Sequence, residues 1–451
     1  TLGGAPQAAN KMPNLDKYLD EVAQKHGKMK KIDQRGTKAL PALNGGKSGG
    51  GSIANNVATG MLQKDPYEIK MAIGYMNNFA FSCTGAQRWE KAMEQLPFFA
   101  HITTNVAEMT QYADIVLPAR ITMFEKWAYV KQKQNRYAHV SLIQPVVEPM
   151  WDVRTDETEI PFLIAEKLKE RGFSNLHDCL VKEYKDPETG LSARTGQEFA
   201  LYSVKYYTSP AWTAEGAKIG DKINGWEDYR QRGVWNSNPY EYKQRWGGKF
   251  KTATKKFEFY SETLKKALKG HAEKHKTDVD DILKACNYTA KGEVAFVPHY
   301  EPPFRHGNEK EYPFTFIDYK SRLNREGRSQ NTPWYYEFHK VDFGDESHED
   351  VIQINSTDAS KLGIKNGDMV KVTSVTGSYM IKAKLWEGIR PGTVAKCYGQ
   401  GHWAYGKVGT KEFGKTPRGV NNNEIMPFDT ERLSGANVRN GGFTGIKIAK
   451  V

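Results

Sequence analysis

Lys70–Asn78 reads KMAIGYMNN, an apolar run that ends in small and amide residues, as a buried strand feeding a cofactor loop would. Downstream, Gly85–Gln95 carries Trp89, Ala92 and Met93 at helical spacing, continued by Leu96, and Phe98–Thr103 reads as the next strand. Thr104–Gln111 is expected to be helical, and Ala113–Leu117 to be a third short strand closed by Pro118. Strand, helix, strand, helix, strand is the grammar of a parallel sheet with crossover helices.

Upstream, residues 1–65 are rich in Gly, Asn and Lys. Asn44–Ser52 (NGGKSGGGS) reads as a flexible or ligand-approaching loop before a short helix at Ile53–Leu62. Its GGKS is not a phosphate loop, because Pro41 stands where that motif needs Gly and no β-branched strand precedes it. Beyond the sheet, Glu157–Arg171 (ETEIPFLIAEKLKER) is a periodic amphipathic helix. The stretch after it mixes helices, turns and aromatic segments, with helices at Ser261–Lys269, stopped by Gly270, and at Asp278–Cys286.

From Tyr312 the texture changes to short β-rich segments punctuated by Gly, Asn and Asp: FTFID, VIQIN, MVKVTSV, YMIKAKLW, TVAKCYG and TGIKIAKV. A helix at Thr357–Leu362, started by Ser356 and Asp358 and stopped by Gly363, sits among them. A six-stranded barrel is the expectation. The organisation is therefore a lead-in over 1–65, an α/β region over 66–175, a helical and irregular insertion or linker over 176–310, and the barrel over 311–451.

A chain of 451 residues has room for two or more cores. The excess of 65 Lys+Arg over 53 Asp+Glu raises a nucleic-acid reading, but the cations are interspersed with acids, as where Lys251, Lys255 and Lys256 precede Glu258 and Glu262. Anionic small ligands or acidic partners account for the charge without nucleic acid. Cys83, Cys179, Cys286 and Cys397 lie far apart without a Cys-x-x-Cys, so the spacing encodes neither zinc nor an iron–sulfur cluster. No stretch approaches the roughly 18 apolar residues of a membrane helix. The first residue is Thr, which implies processing or a preceding segment that could have carried an export signal.

Glu108–Arg120 (EMTQYADIVLPAR), then EKWAYV and KQNRY, resembles the family of dimethyl sulfoxide reductase and its molybdopterin relatives. INSTDASKLGIKNGDMVKVTSVTG and GIRPGTVAKCYGQGHWAYG resemble that family's pterin-dinucleotide-binding terminal domain. The resemblance covers about 70–120 and 312–451. It implies an α/β Rossmann-like half-domain followed by a double-psi β-barrel, two molybdopterin guanine dinucleotides, and Mo or W. The metal ligand and a 4Fe-4S cluster are then expected on a missing amino-terminal segment or a partner chain. GHWAYG and RLNREGRSQN are most similar to the branch that reduces arsenate, tetrathionate, thiosulfate or polysulfide.

Such a cofactor presents pyrophosphates, ribose hydroxyls and purine edges, which call for amides, hydroxyls and cations at strand ends. Asn77 and Asn78 follow the first strand, where Asn also suits a plain turn. Thr103 and Thr104 close the second; relatives commonly carry an acid near Thr103. Arg322, Arg325 and Arg328 with Ser329, Gln330 and Asn331 form a polar loop suited to pyrophosphate or simply to water. Gln400, His402 and Trp403 sit in a Gly-flanked turn where the imidazole could donate to a pterin or be a satisfied structural histidine. Asn421, Asn422 and Asn423 offer amide pairs to a purine or pterin edge, or make an Asn-rich turn. Asp114 and Pro118 read as structural, and Cys83 as a buried thiol.

The leading expectation is part of an oxidoreductase that reduces a sulfur or arsenic oxyanion or polysulfide. The alternatives are a non-catalytic pterin-binding or scaffold subunit, or a formate- or nitrate-type member of the family. Expected partners are the amino-terminal half of the catalytic unit, an iron–sulfur electron-transfer subunit and a possible membrane anchor. A periplasmic site or the outer face of the cell membrane is the expected location.

Overall fold

The computed structural model describes residues 6–44, 46–120, 123–134, 136–151, 153, 155–240, 250, 252, 254–324, 327–337, 350–437 and 444–451. Two compact units emerge, one from Thr1–Met29 with Pro118–Glu258 and the other from Lys30–Leu117 with Phe259–Val451. The units divide at 29/30, 117/118 and 258/259.

In the second unit Ala72–Tyr75 (β1) pairs in parallel with Phe99–Thr103 (β2), Ala72 opposite Phe99 and Tyr75 opposite Ile102. Ile115–Pro118 (β3) lies on the other side of β2. The central β2 is buried along almost its whole length, whereas β1 is an edge strand that exposes Ile73 and Tyr75. KMAIGYMNN is thus a half-covered edge and not the buried strand its apolar run suggests. The crossover helix Ala86–Glu94 buries Trp89, Ala92 and Met93 against Phe99 and Met109. Asp114 braces the sheet by accepting from the Phe99 amide at 2.7 Å, a structural role in keeping with its place in ADIVLP.

The first unit is built on the hairpin Ala128–Gln134 (β4) and Tyr137–Ile143 (β5), with Val234–Asn236 (β6) antiparallel to β5. The helices Ile160–Glu170 and Gly196–Trp212 belong to it, and Trp235, Tyr229 and Val140 are fully buried in its core.

The barrel strands are Phe314–Tyr319 (β7), Val351–Ile354 (β8), Met369–Thr373 (β9), Ser378–Leu385 (β10), Thr393–Cys397 (β11) and, after the small ribbon Thr410–Glu412 (β12) and Thr416–Pro417 (β13), Thr444–Lys450 (β14). They close in the order β10-β8-β11-β7-β14-β9, with β8/β10 and β7/β11 parallel and the other neighbours antiparallel. Alternation decides the interior: along β10, Tyr379, Ile381 and Ala383 are buried while Ser378, Met380 and Lys382 face out. Phe316, Ile352, Ile354, Val370, Val372 and Ile446 complete a core from which water is excluded.

Several local expectations need correction. Thr104–Ala107 is not helical; only Glu108–Tyr112 forms a 3-10 turn, because the Thr103 hydroxyl bonds the Asn105 carbonyl and the Thr110 hydroxyl caps the Ala107 amide. Gly270 does not stop its helix, which runs Glu262–Lys274 and ends where Lys276 turns to φ +52°. The barrel helix is Ser356–Lys361, capped by Asn355, while Asp358 instead accepts from the Gly392 amide. The expected Ile53–Leu62 helix is a 3-10 turn at Ala54–Asn56 followed by Val57–Gln63. The described residues of the Asn44–Ser52 loop are not in the lining of the cleft described below; beside it Ala42 and Leu43 bond the carbonyls of Arg432 and Leu433, and a Cβ on Gly51 would meet Ser434 O at 2.5 Å.

Candidate functional site

Parallel strands leave their carboxyl ends open, and in the second unit a cleft of about 560 Å³ lies there. Its walls come from the turn after β1 (Met76–Asn78), the segment after β2 (Thr103–Asn105), Gly327 and Arg328, the 398–405 stretch after β11, and the Asn421–Asn423 turn. Met76 opens the first turn at φ +45°, left-handed for a residue with a side chain.

Glu108 organises the back of the cleft. Its carboxylate is fully buried and accepts from Asn78 Nδ2 at 2.8 Å, His402 Nδ1 at 3.1 Å, Trp403 N at 2.9 Å and Ala404 N at 3.1 Å. Asn78 is further tied by its Oδ1, which accepts from Met109 N at 3.0 Å. Burial pushes the Glu108 carboxyl up, but the bonds and charge of His402 and the Asn78 amide overcome it and hold the group at about 2.

His402 is a buried residue of the cleft wall. Nδ1 meets Glu108 and Nε2 lies 3.0 Å from the Gly327 carbonyl oxygen, so both nitrogens are engaged with protein acceptors. The Phe81 ring stacks on it at 3.6 Å between centroids. The Tyr405 ring lies against it as well, at 4.6 Å between centroids, so the imidazole is held among protein groups at the cleft wall.

The Asn turn is oriented by one carbonyl. Asn421 Nδ2 and Asn423 Nδ2 both donate to Phe81 O, at 2.9 and 2.7 Å, and Asn421 Oδ1 accepts from Asn423 N. This fixes the flip of Asn423 and leaves its Oδ1 buried without a partner; Asn77 Oδ1 is in the same condition. Both residues belong to the cleft wall, and an acceptor buried there without a partner is matched by donors from a ligand once its side chain turns toward the space. A purine or pterin edge, with ring N–H and amino groups, has that chemistry. The exposed guanidinium of Arg328 and the hydroxyls of Thr103 and Thr104 suit its anionic and ribose parts.

Of the residues named from sequence, Asn77, Asn78, Thr103, Thr104, Arg328, His402, Asn421 and Asn423 are brought together on this cleft. Ser329, Gln330, Asn331, Gln400 and Trp403 are not among its lining residues. Ser329 bonds Leu323 O, and Asn331 accepts from Val408 N and Gly409 N. Gln330 is fully buried behind Gly399, both ends of its amide unpartnered. Gln400 is buried, and Trp403 contributes its amide to Glu108. Asn422 donates to Lys396 O. Arg322 lies outside the lining, Arg325 lies outside the described residues, and Cys83 packs in the core beside Trp89. Sequence reasoning quoted Glu108 only as the first residue of EMTQYADIVLPAR, without a role, and missed Phe81, Tyr398 and Tyr405; the two tyrosines stand in the KCYGQGHWAYG run. Among the described residues no group of three His, Cys, Asp or Glu side chains gathers as metal ligands, and no helix is long and apolar enough to cross a membrane.

Residues 330–441 match the Molydopterin dinucleotide binding domain family. The chain is 55% identical over 99% of its length to the arsenate respiratory reductase molybdopterin-containing subunit of Chrysiogenes arsenatis, covering 53% of that protein. It is 50% identical over 97% of its length to the corresponding subunit of Shewanella sp. (strain ANA-3), covering 51%. The chain thus spans about half the length of these curated relatives. In fold it is similar to acetylene hydratase from Pelobacter acetylenicus, with a TM-score of 0.55 at 17% identity over 88% of this chain and 46% of that one.

Proposed function

We propose that this chain, which belongs to the molybdopterin oxidoreductase family, is the carboxy-terminal, cofactor-binding portion of a catalytic subunit that reduces an arsenic or sulfur oxyanion, arsenate first among them. The observation that carries the reading is the likeness, along almost the whole of this chain, to about half of each of two arsenate respiratory reductase subunits. The unpaired amide oxygens of Asn77 and Asn423 support it from the side of chemistry.

On this reading the chain's own residues bind and orient. Asn77 and Asn423 would accept from the donors of a pterin or guanine edge, Arg328 would meet pyrophosphate, and the buried Glu108 keeps His402 from swinging into the space. When bound, the Mo or W centre supplies two-electron oxygen-atom transfer. The barrel is of the double-psi type, supported by its two parallel strand pairs, and the β1–β3 sheet is a half of a Rossmann-like domain, supported by its parallel β1/β2 pair. The remainder of the catalytic unit, a 4Fe-4S cluster, an iron–sulfur partner subunit and a periplasmic or outer-face location complete the proposal.

The test is metal analysis by mass spectrometry on the native assembly, acid release of guanine nucleotide, and arsenate-dependent oxidation of a reduced viologen. About one Mo or W per catalytic unit with guanine nucleotide and arsenate turnover is expected from the cofactor's stoichiometry. Material with neither metal nor nucleotide would overturn the reading.

A further inference from the structure

Beneath the Asn421–Asn423 turn lies an ion pair inside the barrel. Lys396 is fully buried on β11, and its ammonium has three partners: Asp350 Oδ1 at 2.7 Å, Cys397 O at 3.0 Å and Val420 O at 3.0 Å. The other Asp350 oxygen accepts from Val420 N at 2.7 Å. Both polar atoms of Val420 are therefore gripped by opposite members of one ion pair. Gly419 completes the fit: at φ +77° it leaves room that a Cβ, 2.3 Å from Asp350 Oδ2, would fill.

Taking two charges out of water into a barrel core is costly, and apolar replacements of such pairs are often neutral or stabilising. Stability alone does not account for the pair. What it achieves locally is a fixed backbone at Val420, the residue before the turn whose Asn421 and Asn423 belong to the cleft wall. We infer that Asp350 and Lys396 are positioning residues that hold the Asn421–Asn423 turn in its ligand-accepting shape before any ligand arrives, so that the turn orders without cost on binding. The inference rests on the functional reading above for the identity of the ligand, not for the clamp itself.

The test uses the native assembly with the pair neutralised together as D350N/K396M, so that neither charge is left alone, and with the core variant I352V as a control. Guanine nucleotide retained after dilution and the melting temperature are followed for each. The double variant should melt within a few degrees of the parent yet lose nucleotide about tenfold faster, the scale of one or two lost hydrogen bonds. I352V should melt lower with retention unchanged. A folded double variant that keeps nucleotide at the parental rate overturns the inference.

Hydrogen exchange on the unaltered, cofactor-stripped assembly judges the clamp even where the variant does not assemble. The Val420 amide should already be protected; exchange there at an open-loop rate overturns the inference. If the parent itself holds no guanine nucleotide, the functional reading fails, and Val420 protection still decides the clamp.

Discussion

The Glu108 carboxylate meets Nδ1 of His402 at 3.1 Å across 294 positions of sequence, and the contact is sealed from water on both sides. Glu108→Gln keeps the shape but withdraws a charge-assisted acceptor from His402 and from two backbone amides. A loss of roughly 3 kcal/mol is expected, at the lower end for breaking a buried pair. Urea unfolding of the variant checks it; a cost under about 1 kcal/mol, as for a surface pair, would count against the hub role.

The same carboxyl makes a pH statement. Its folded value is depressed to about 2, so its stabilising contribution is present above the unfolded value of about 4.3 and is lost as pH falls toward 2. The gap between parent and Glu108→Gln in unfolding free energy should shrink to under half between pH 6 and pH 3. A gap that stays constant over that window would remove the carboxylate as its source.

Glu424 runs the other way. Burial, then the nearby Glu90 charge, raise it to about 6 against the pull of Lys396. A raised acid disfavours the fold once ionised, so stability is lost as pH rises through 6. Glu424→Gln should stabilise by about 2 kcal/mol at pH 8 and by almost nothing at pH 4. Thermal melts at the two pH values, compared with the parent, decide it.

Asn77→Ala removes an oxygen that has no partner within the protein. Stability of the cofactor-free assembly should move by less than about 0.5 kcal/mol, while nucleotide retention falls about tenfold, the weight of one ligand hydrogen bond. Equal retention in parent and variant would show that the orphaned oxygen meets no ligand donor.

The barrel was legible in sequence because one face of each strand is core and the other solvent, so β9 and β10 write their burial as alternation. The parallel β1/β2 pair was legible for the same kind of reason, its crossover helix carrying Trp89, Ala92 and Met93 on one side. The edge status of β1 was not, since exposure of Ile73 depends on which strand lies beside it. Glu108 and Lys396 were illegible: a buried charge looks in sequence like any surface charge until its distant partners are folded around it. His402 was named from sequence, but its partners at Glu108 and Gly327 are distant in the chain and could not be read there.

Because β14 bridges β7 and β9, the ring has a gap until Thr444–Lys450 has been synthesised. On the ribosome the other five strands are complete while β7 and β9 still show bare edges, which invite mispairing with neighbouring chains. Loading of any large ligand then waits for that last strand, and a nonsense codon ahead of Thr444 would yield an aggregation-prone open sheet instead of a weakened barrel.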